Sequence, residues 1–317
     1  MISDIPRVKM QPSAPDGGPG AGEVLAHARE HDCNRPRGKT SVSGSRLDGD
    51  RGMKWLVVNA DDAGLDSETD AAILRCAREG IVRSVSVVAG GPTAANFVTK
   101  ALHEGLDMGL HVNLTQGSAV AGRASTLTDS RGFFRGPKGD VWRRAVAGRL
   151  DPNEVRAEVL AQWQRLCDLG AQPTHIDGHN HVHVFPWVGD ALRTLGEDVW
   201  MRIPEDSRCP ASSRPALPDI LEVWAKALRP AWRTVEQFTG FDFSCVPTLE
   251  TFLTCVTEPA ATLEFMVHPG SRPGSAFSDS ALRDREVQTL CSPDLKRQLR
   301  DRGWQPTSFQ ELGCASR

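Results

Sequence analysis

The chain has 317 residues, 39% apolar and 24% charged, the balance of a globular protein long enough for one large domain or two small ones. No segment approaches the roughly 18 consecutive apolar residues of a membrane helix, which argues against an integral membrane protein. A net charge of −3 offers no basic surface for non-specific nucleic-acid binding.

All 11 Phe and 8 Trp lie after residue 54, and Tyr is absent. Residues 1–52 are rich in Gly, Pro, Ser, Arg and Asp, a composition that cannot offset the entropy of ordering a chain. They read as a disordered extension, with a short helix over 22–31 or a regulatory tail as alternatives. Met53-Lys54-Trp55-Leu56-Val57-Val58 reads as the true start, and a chain beginning there is expected to fold and be active. The N-terminus has no apolar signal-peptide core, and the eight cysteines form no CxxC pair. Both features point to a reduced, cytoplasmic setting without a disulfide framework or a structural zinc site.

From residue 53 onward the pattern alternates. Trp55–Ala60 is a Val-rich apolar run and reads as a buried strand. Ser67–Glu79 reads as a helix stopped by Gly80, and Val85–Ala89 as a second strand. A helix over Thr93–His103 and a strand over Asp107–Val112 complete a β-α-β-α-β opening, the signature of parallel strands with crossover helices. Gln116–Lys138 is a long Gly- and Ser-rich loop, a length often associated with function. Asp151–Leu169 is a helix with Pro152 in its first turn and Val155, Val159, Trp163 and Leu166 on one face.

Thr174–Val184 reads as a strand carrying four histidines. A helix over Pro186–Leu195 and a strand over Val199–Ile203 follow. Helices are expected over Asp219–Leu228, Leu249–Cys255 and Ser292–Arg302, with strands over Leu263–Val267 and Thr307–Leu312. About seven strands alternating with helices fit a single-domain α/β fold, an irregular TIM-like (β/α) barrel spanning residues 53–317. A doubly wound open sheet is the alternative.

Polar residues collect at strand C-termini, the edge where parallel α/β folds build their sites. Asn59-Ala60-Asp61-Asp62 ends the first strand and His111-Val112-Asn113 the third. His175-Ile176-Asp177-Gly178-His179-Asn180-His181-Val182-His183 covers the next strand and its exit, and His268-Pro269-Gly270 ends a late strand. Imidazole plus carboxylate is a ligand set for zinc or another divalent ion. Each piece also has a plainer reading. Asp61-Asp62 could cap a helix or form an Asx-turn, and His111 could be a hydrogen-bonded core residue. His268-Pro-Gly alone could be a turn. In the 175–183 run, five ionisable groups at odd positions would all face one side of a strand. Burying that many without partners is costly, so the run points to metal binding or catalysis. His27, His31 and His103 read as solvated surface residues.

Four segments together carry a family resemblance: Val58-Asn59-Ala60-Asp61-Asp62-Ala63-Gly64-Leu65, Gly109-Leu110-His111-Val112-Asn113-Leu114-Thr115, Pro173 through His183, and Met266-Val267-His268-Pro269-Gly270. In this order and spacing they resemble the YdjC-like carbohydrate deacetylases, which include chitooligosaccharide deacetylases. The resemblance implies a deformed (β/α) barrel, one divalent ion (magnesium or zinc) and hydrolysis of N-acetyl groups on amino sugars. It also implies Asp62, His111 and His179 as metal ligands, with Asp61 and His268 as the catalytic pair. Ala63 stands where the family often has Phe, and Gly178 where it often has Ser. Loss of that aromatic is expected to widen the pocket floor and to bear on substrate rather than chemistry.

On this reading Asp61 takes a proton from the attacking water and His268 returns one to the leaving amine. Asp177 orients a histidine. His181 and His183 are either second-layer groups or sugar contacts. Arg202, at another strand end, contacts substrate, supports the site from a second layer or forms a surface salt bridge. Phe134, Trp142 and Trp187 are candidates for stacking on a sugar ring, with core packing as the other role. The partner is a small N-acetylated sugar or oligosaccharide, without nucleic acid or membrane, and a homodimer is left open. Two rivals stand beside this reading: a metal-dependent phosphoesterase, and a non-catalytic sugar-binding protein on the same barrel.

Overall fold

The first apolar run becomes the central strand. β1 (Lys54–Ala63) pairs in parallel with β2 (Ser84–Val87), β7 (Thr262–Val267) and β8 (Trp304–Thr307). Leu56, Val57, Val58 and Ala60 on it are fully buried, as a strand covered on both faces requires. The computed structural model describes residues 54–136, 138–195, 198–205, 219–256, 260–270 and 282–315. The expectations for the N-terminal extension, for a helix over 22–31, for His27 and His31, and for a start at Met53 lie outside these residues.

The strands run in the order β5-β4-β3-β2-β1-β7-β6, all in parallel. Here β3 is Asp107–Val112, β4 His175–Gly178, β5 Trp200–Met201 and β6 Gln237–Thr239. Trp200 also makes a parallel bridge to Arg233, four residues ahead of β6. Helices surround this curved sheet: α1 (Ser67–Arg78), α2 (Ala94–His103), α3 (Lys138–Val146), α4 (Pro152–Asp168), α5 (Pro186–Leu192), α6 (Asp219–Leu228), α7 (Phe241–Cys245), α8 (Leu249–Cys255), α9 (Arg283–Leu290), α10 (Pro293–Asp301) and α11 (Phe309–Ala315). The barrel expectation is met in this irregular form. Among the described residues, no helix is long and apolar enough to cross a membrane.

Three departures have physical causes. The strand expected over Thr174–Val184 stops at Gly178, and His179–Val184 forms a three-ten segment with Asn180 and His181 in the left-handed region. Alternation therefore fails beyond Gly178, and the five ionisable groups do not share one face. A Cβ on Gly178 would lie 2.9 Å from the His183 nitrogen, so this turn leaves no room for the family's serine without a shift. The closing strand comes earlier, at Trp304–Thr307, and the expected strand Thr307–Leu312 is largely helix α11. The signal was a capping box: Ser308 Oγ accepts from Glu311 N, and the Glu311 carboxylate accepts from Ser308 N, each at 3.1 Å. β6, α3, α7 and α9 were not foreseen. β6 is only three residues long, too short for a period to register.

The long loop is built rather than loose. From α4, Glu158 accepts from Val120 N and Ala121 N, and Glu154 accepts from the backbone and hydroxyls of Ser125 and Thr126. Gln162 brackets Asn113, accepting from its N–H at 3.0 Å and donating to its carbonyl at 2.6 Å. One helix thus fixes the segment that leaves the β3 rim. The cysteines stand singly in sequence, yet Cys76 on α1 and Cys291 after α9 come close enough in the fold for each thiol to influence the other.

Candidate metal centre

Neighbouring residues on a regular strand point to opposite faces, so Asp61 and Asp62 could not both serve one rim. β1 resolves this with an irregularity in its register between Ala60 and Ala63, and Asp62 adopts φ 69. Asp tolerates the left-handed region better than most residues, and such outliers cluster at functional sites. Both carboxylates are 2% exposed.

Asp62, His111 and His179 bring one ligand atom each to within 4.8 Å of one another. His179 Nδ1 lies 2.7 Å and His111 Nε2 3.3 Å from the same oxygen, Asp62 Oδ1. His111 Nδ1 is engaged by Asp177 Oδ1 at 2.7 Å, which fixes the ring and leaves Nε2 facing Asp62. His179 Nε2 is buried with no partner. One carboxylate and two imidazoles converging in a dry site, one with an orphaned nitrogen, match what a divalent ion requires. The residues expected to hold the ion therefore fit it.

Beside this trio lies a buried ion-pair hub. Arg202, 1% exposed, donates to Asp61 Oδ2 at 2.6 Å and Oδ1 at 2.7 Å, to Asp177 Oδ2 at 2.6 Å and to Glu264 Oε1 at 2.7 Å. Of the roles expected for Arg202, this is the supporting one behind Asp61; a surface salt bridge does not fit a residue so buried. Burial pushes the Asp61 carboxyl up, but the charge and hydrogen bonds of Arg202, with His111 and His268, together outweigh it and hold Asp61 well below the usual range. Burial likewise opposes ionisation of Asp62, yet His179 and then Arg283 keep its carboxyl low. Glu264, less fully compensated, is pushed up to about 7, with burial the largest cause and Arg202 opposing it. Asn59 Nδ2 donates to Asp61 Oδ1 at 2.9 Å, and Ser86 Oγ to Asp177 Oδ2 at 2.8 Å.

Asp61, His111 and Asp177 form a second group with metal-ligand spacing. Its two carboxylates already face Arg202, so the Asp62 trio is the better cation site. His268 sits at the edge, with Nε2 3.8 Å from Asp61 Oδ2 and a side chain 23% exposed. Its backbone N–H donates to the buried Glu286 at 2.6 Å, and Nδ1 lies 3.3 Å from Ser244 Oγ. Burial is the largest cause that brings its imidazole down to about 4, so it rests neutral.

The other histidines of the 175–183 run separate. His175 lies on the core side, stacked on Phe309 at 4.3 Å with Nε2 3.2 Å from Ser86 Oγ. A Cβ at Gly109 would come within 2.3 Å of that ring, which explains the glycine. His183 is fully buried with Nε2 3.1 Å from the Arg202 carbonyl, so a sugar contact is excluded for it. His181 is half-buried, packs edge-on against Phe241 at 5.4 Å and leaves its buried Nδ1 without a partner. Phe134 and Trp142 belong to the main core, and Trp187 packs partly buried against it. Ala63 is also fully buried in that core. His103 is exposed, as expected.

Sequence reasoning missed Arg283, Glu264 and Glu286. Glu264 had a signal, a lone carboxylate inside the apolar run Leu263–Val267. Arg283, whose Nη2 donates to Asp62 Oδ2 at 2.8 Å, belonged to no motif.

Comparison with known proteins follows the same outline. Residues 55–301 match the YdjC-like protein family. The chain belongs to this family. Among its relatives, the carbohydrate deacetylase of Brevibacillus brevis is 30% identical over 264 residues, covering 81% of this chain and 99% of that protein. The carbohydrate deacetylase of Mus musculus is 32% identical, covering 81% and 94%. The chitooligosaccharide deacetylase of Serratia marcescens is 28% identical, covering 82% and 99%. A solved structure from Enterococcus faecalis V583, of a protein named for cellobiose-phosphate cleavage, superposes with a TM-score of 0.67. It is 20% identical and covers 82% of this YdjC-like chain and 99% of its own, which supports the fold.

Proposed function

We propose that this YdjC-like protein removes N-acetyl groups from amino sugars or chitooligosaccharides with one divalent ion, magnesium or zinc. The observation that carries the reading is the buried Asp62–His111–His179 trio with Asp61 beside it and His268 at the edge. The carbohydrate and chitooligosaccharide deacetylases among its relatives support the same chemistry. An ion held by the trio would polarise the acyl oxygen and acidify water.

The chain's own residues then have distinct tasks. Asp61 takes the proton of the attacking water. The Arg202 clamp keeps that carboxylate ionised and aimed, at the expense of basicity. His268, neutral at rest and 3.8 Å from Asp61, passes the proton to the departing sugar amine. Water and the N-acetyl amide are consumed, and acetate and the free amine leave. Asp177 holds His111 through Nδ1. A phosphoesterase with two bridged ions finds no support, because the carboxylates of the second donor group are committed to Arg202.

The test is acetate release from diacetylchitobiose and longer N-acetylated oligosaccharides with added magnesium or zinc. The reading expects release by the parent chain and a loss of about 100-fold or more in Asp61→Asn with ion binding retained. Unchanged turnover in Asp61→Asn removes Asp61 as the base. No acetate from any N-acetylated sugar overturns the reading.

A further inference from the structure

Asp62 is engaged on both oxygens. Oδ1 faces the two imidazoles, and Oδ2 accepts from Arg283 Nη2 at 2.8 Å. The Arg283 side chain is 14% exposed and that of Asp62 3%, so solvent screens this pair little. Arg283 opens α9, and Glu286, three residues on, accepts from the His268 backbone. One helix face therefore reaches both Asp62 and His268. Among the described residues, the strongest charges on Arg283 are Asp62, Glu286 and Asp61, all acidic.

A guanidinium on a ligand carboxylate acts in two opposed ways. It orients the carboxylate, and it places a positive charge where a divalent cation must also approach. In a poorly screened site the charge effect dominates, because like charges repel strongly at low effective dielectric. We propose that Arg283 is a positioning residue whose charge sets how loosely the Asp62 site holds its cation, favouring a tunable ion over a permanently locked one. The inference rests on the ion-dependent reading above and adds to it a residue that no motif contains.

The experiment is a zinc titration of the full chain, followed by competition with a chromogenic chelator, for the parent, Arg283→Gln and Arg283→Lys. Gln keeps a donor and removes the charge, and it should tighten zinc binding by about tenfold or more. Lys keeps the charge and should stay within about threefold of the parent. A merely structural role would weaken binding in both. Arg283→Met, a second neutral replacement, must also tighten binding, which guards against a folding defect peculiar to Gln. Equal or weaker binding in the neutral variants, or equal tightening in Lys, overturns the inference while leaving the ion-dependent reading intact. A parent chain that binds neither zinc nor magnesium in the same titration overturns both.

Discussion

Replacing Arg202 with Met removes one cation from three buried carboxylates. Asp61, Asp177 and Glu264 lie 2.6–2.7 Å from its nitrogens, and all are at most 2% exposed. Breaking a buried pair by removing one partner costs about 3–5 kcal/mol, because the remaining charge stays uncompensated. That is a large share of the about 5–15 kcal/mol stability of a typical domain. The loss should depend on pH. Without the guanidinium, the folded-state pKa of Asp61 loses its main lowering partner, and that of Glu264, already pushed up to about 7, rises further. A carboxyl with a raised folded pKa disfavours folding at pH values above that pKa. The penalty fades as pH falls toward the unfolded value, where both states are protonated. Urea titration at pH 7.5 and pH 5 measures this directly. Parent and Arg202→Met should differ by about 3 kcal/mol or more at the higher pH and by less at the lower. Adding Glu264→Leu to Arg202→Met should recover part of the loss. A difference below about 1 kcal/mol at pH 7.5 would refute the buried-hub argument.

Two further outcomes follow from the same geometry. Asp177→Asn loosens the hold on His111 Nδ1 and should weaken zinc affinity about 10- to 100-fold by calorimetry. Glu154 tethers Ser125 and Thr126; against a burial effect that raises it, those hydrogen bonds bring its carboxyl from 4.5 down to about 2. The tether is therefore complete above pH 4.5 and lost as pH falls through about 2. Hydrogen exchange should show the Ser125 and Thr126 amides protected in the parent at neutral pH and exposed in Glu154→Gln.

Much of the fold was legible because it is written in local patterns. The β-α-β-α-β opening rests on apolar runs and stop signals, and β1, β2 and β3 form where those runs lie. Strand ends of a parallel sheet pointed to a wider set of Asp and His; the choice of Asp62, His111 and His179 came from the family resemblance, and these three side chains do converge. What sequence could not show is set by long-range pairing. Arg202 is 141 residues from Asp61 and 62 from Glu264, and only the curved sheet brings them together. Arg283 is 221 residues from Asp62. The 175–183 run misled for a different reason. Alternation holds only while the backbone stays extended, and left-handed Asn180 and His181 break it. A capping box at Ser308–Glu311 was visible in the sequence and outweighs the apolar character of the segment.

The central claim is that Asp62, His111 and His179 hold the ion on which deacetylation depends. The most direct measurement is acetate release from an N-acetylated chitooligosaccharide by the parent chain and Asp62→Ala, before and after chelation and with zinc or magnesium restored. Activity in the parent that chelation removes and a divalent ion restores, with none in folded Asp62→Ala under any condition, is the result expected. Release of acetate by Asp62→Ala at the parent's rate, or by the fully chelated parent, would contradict it.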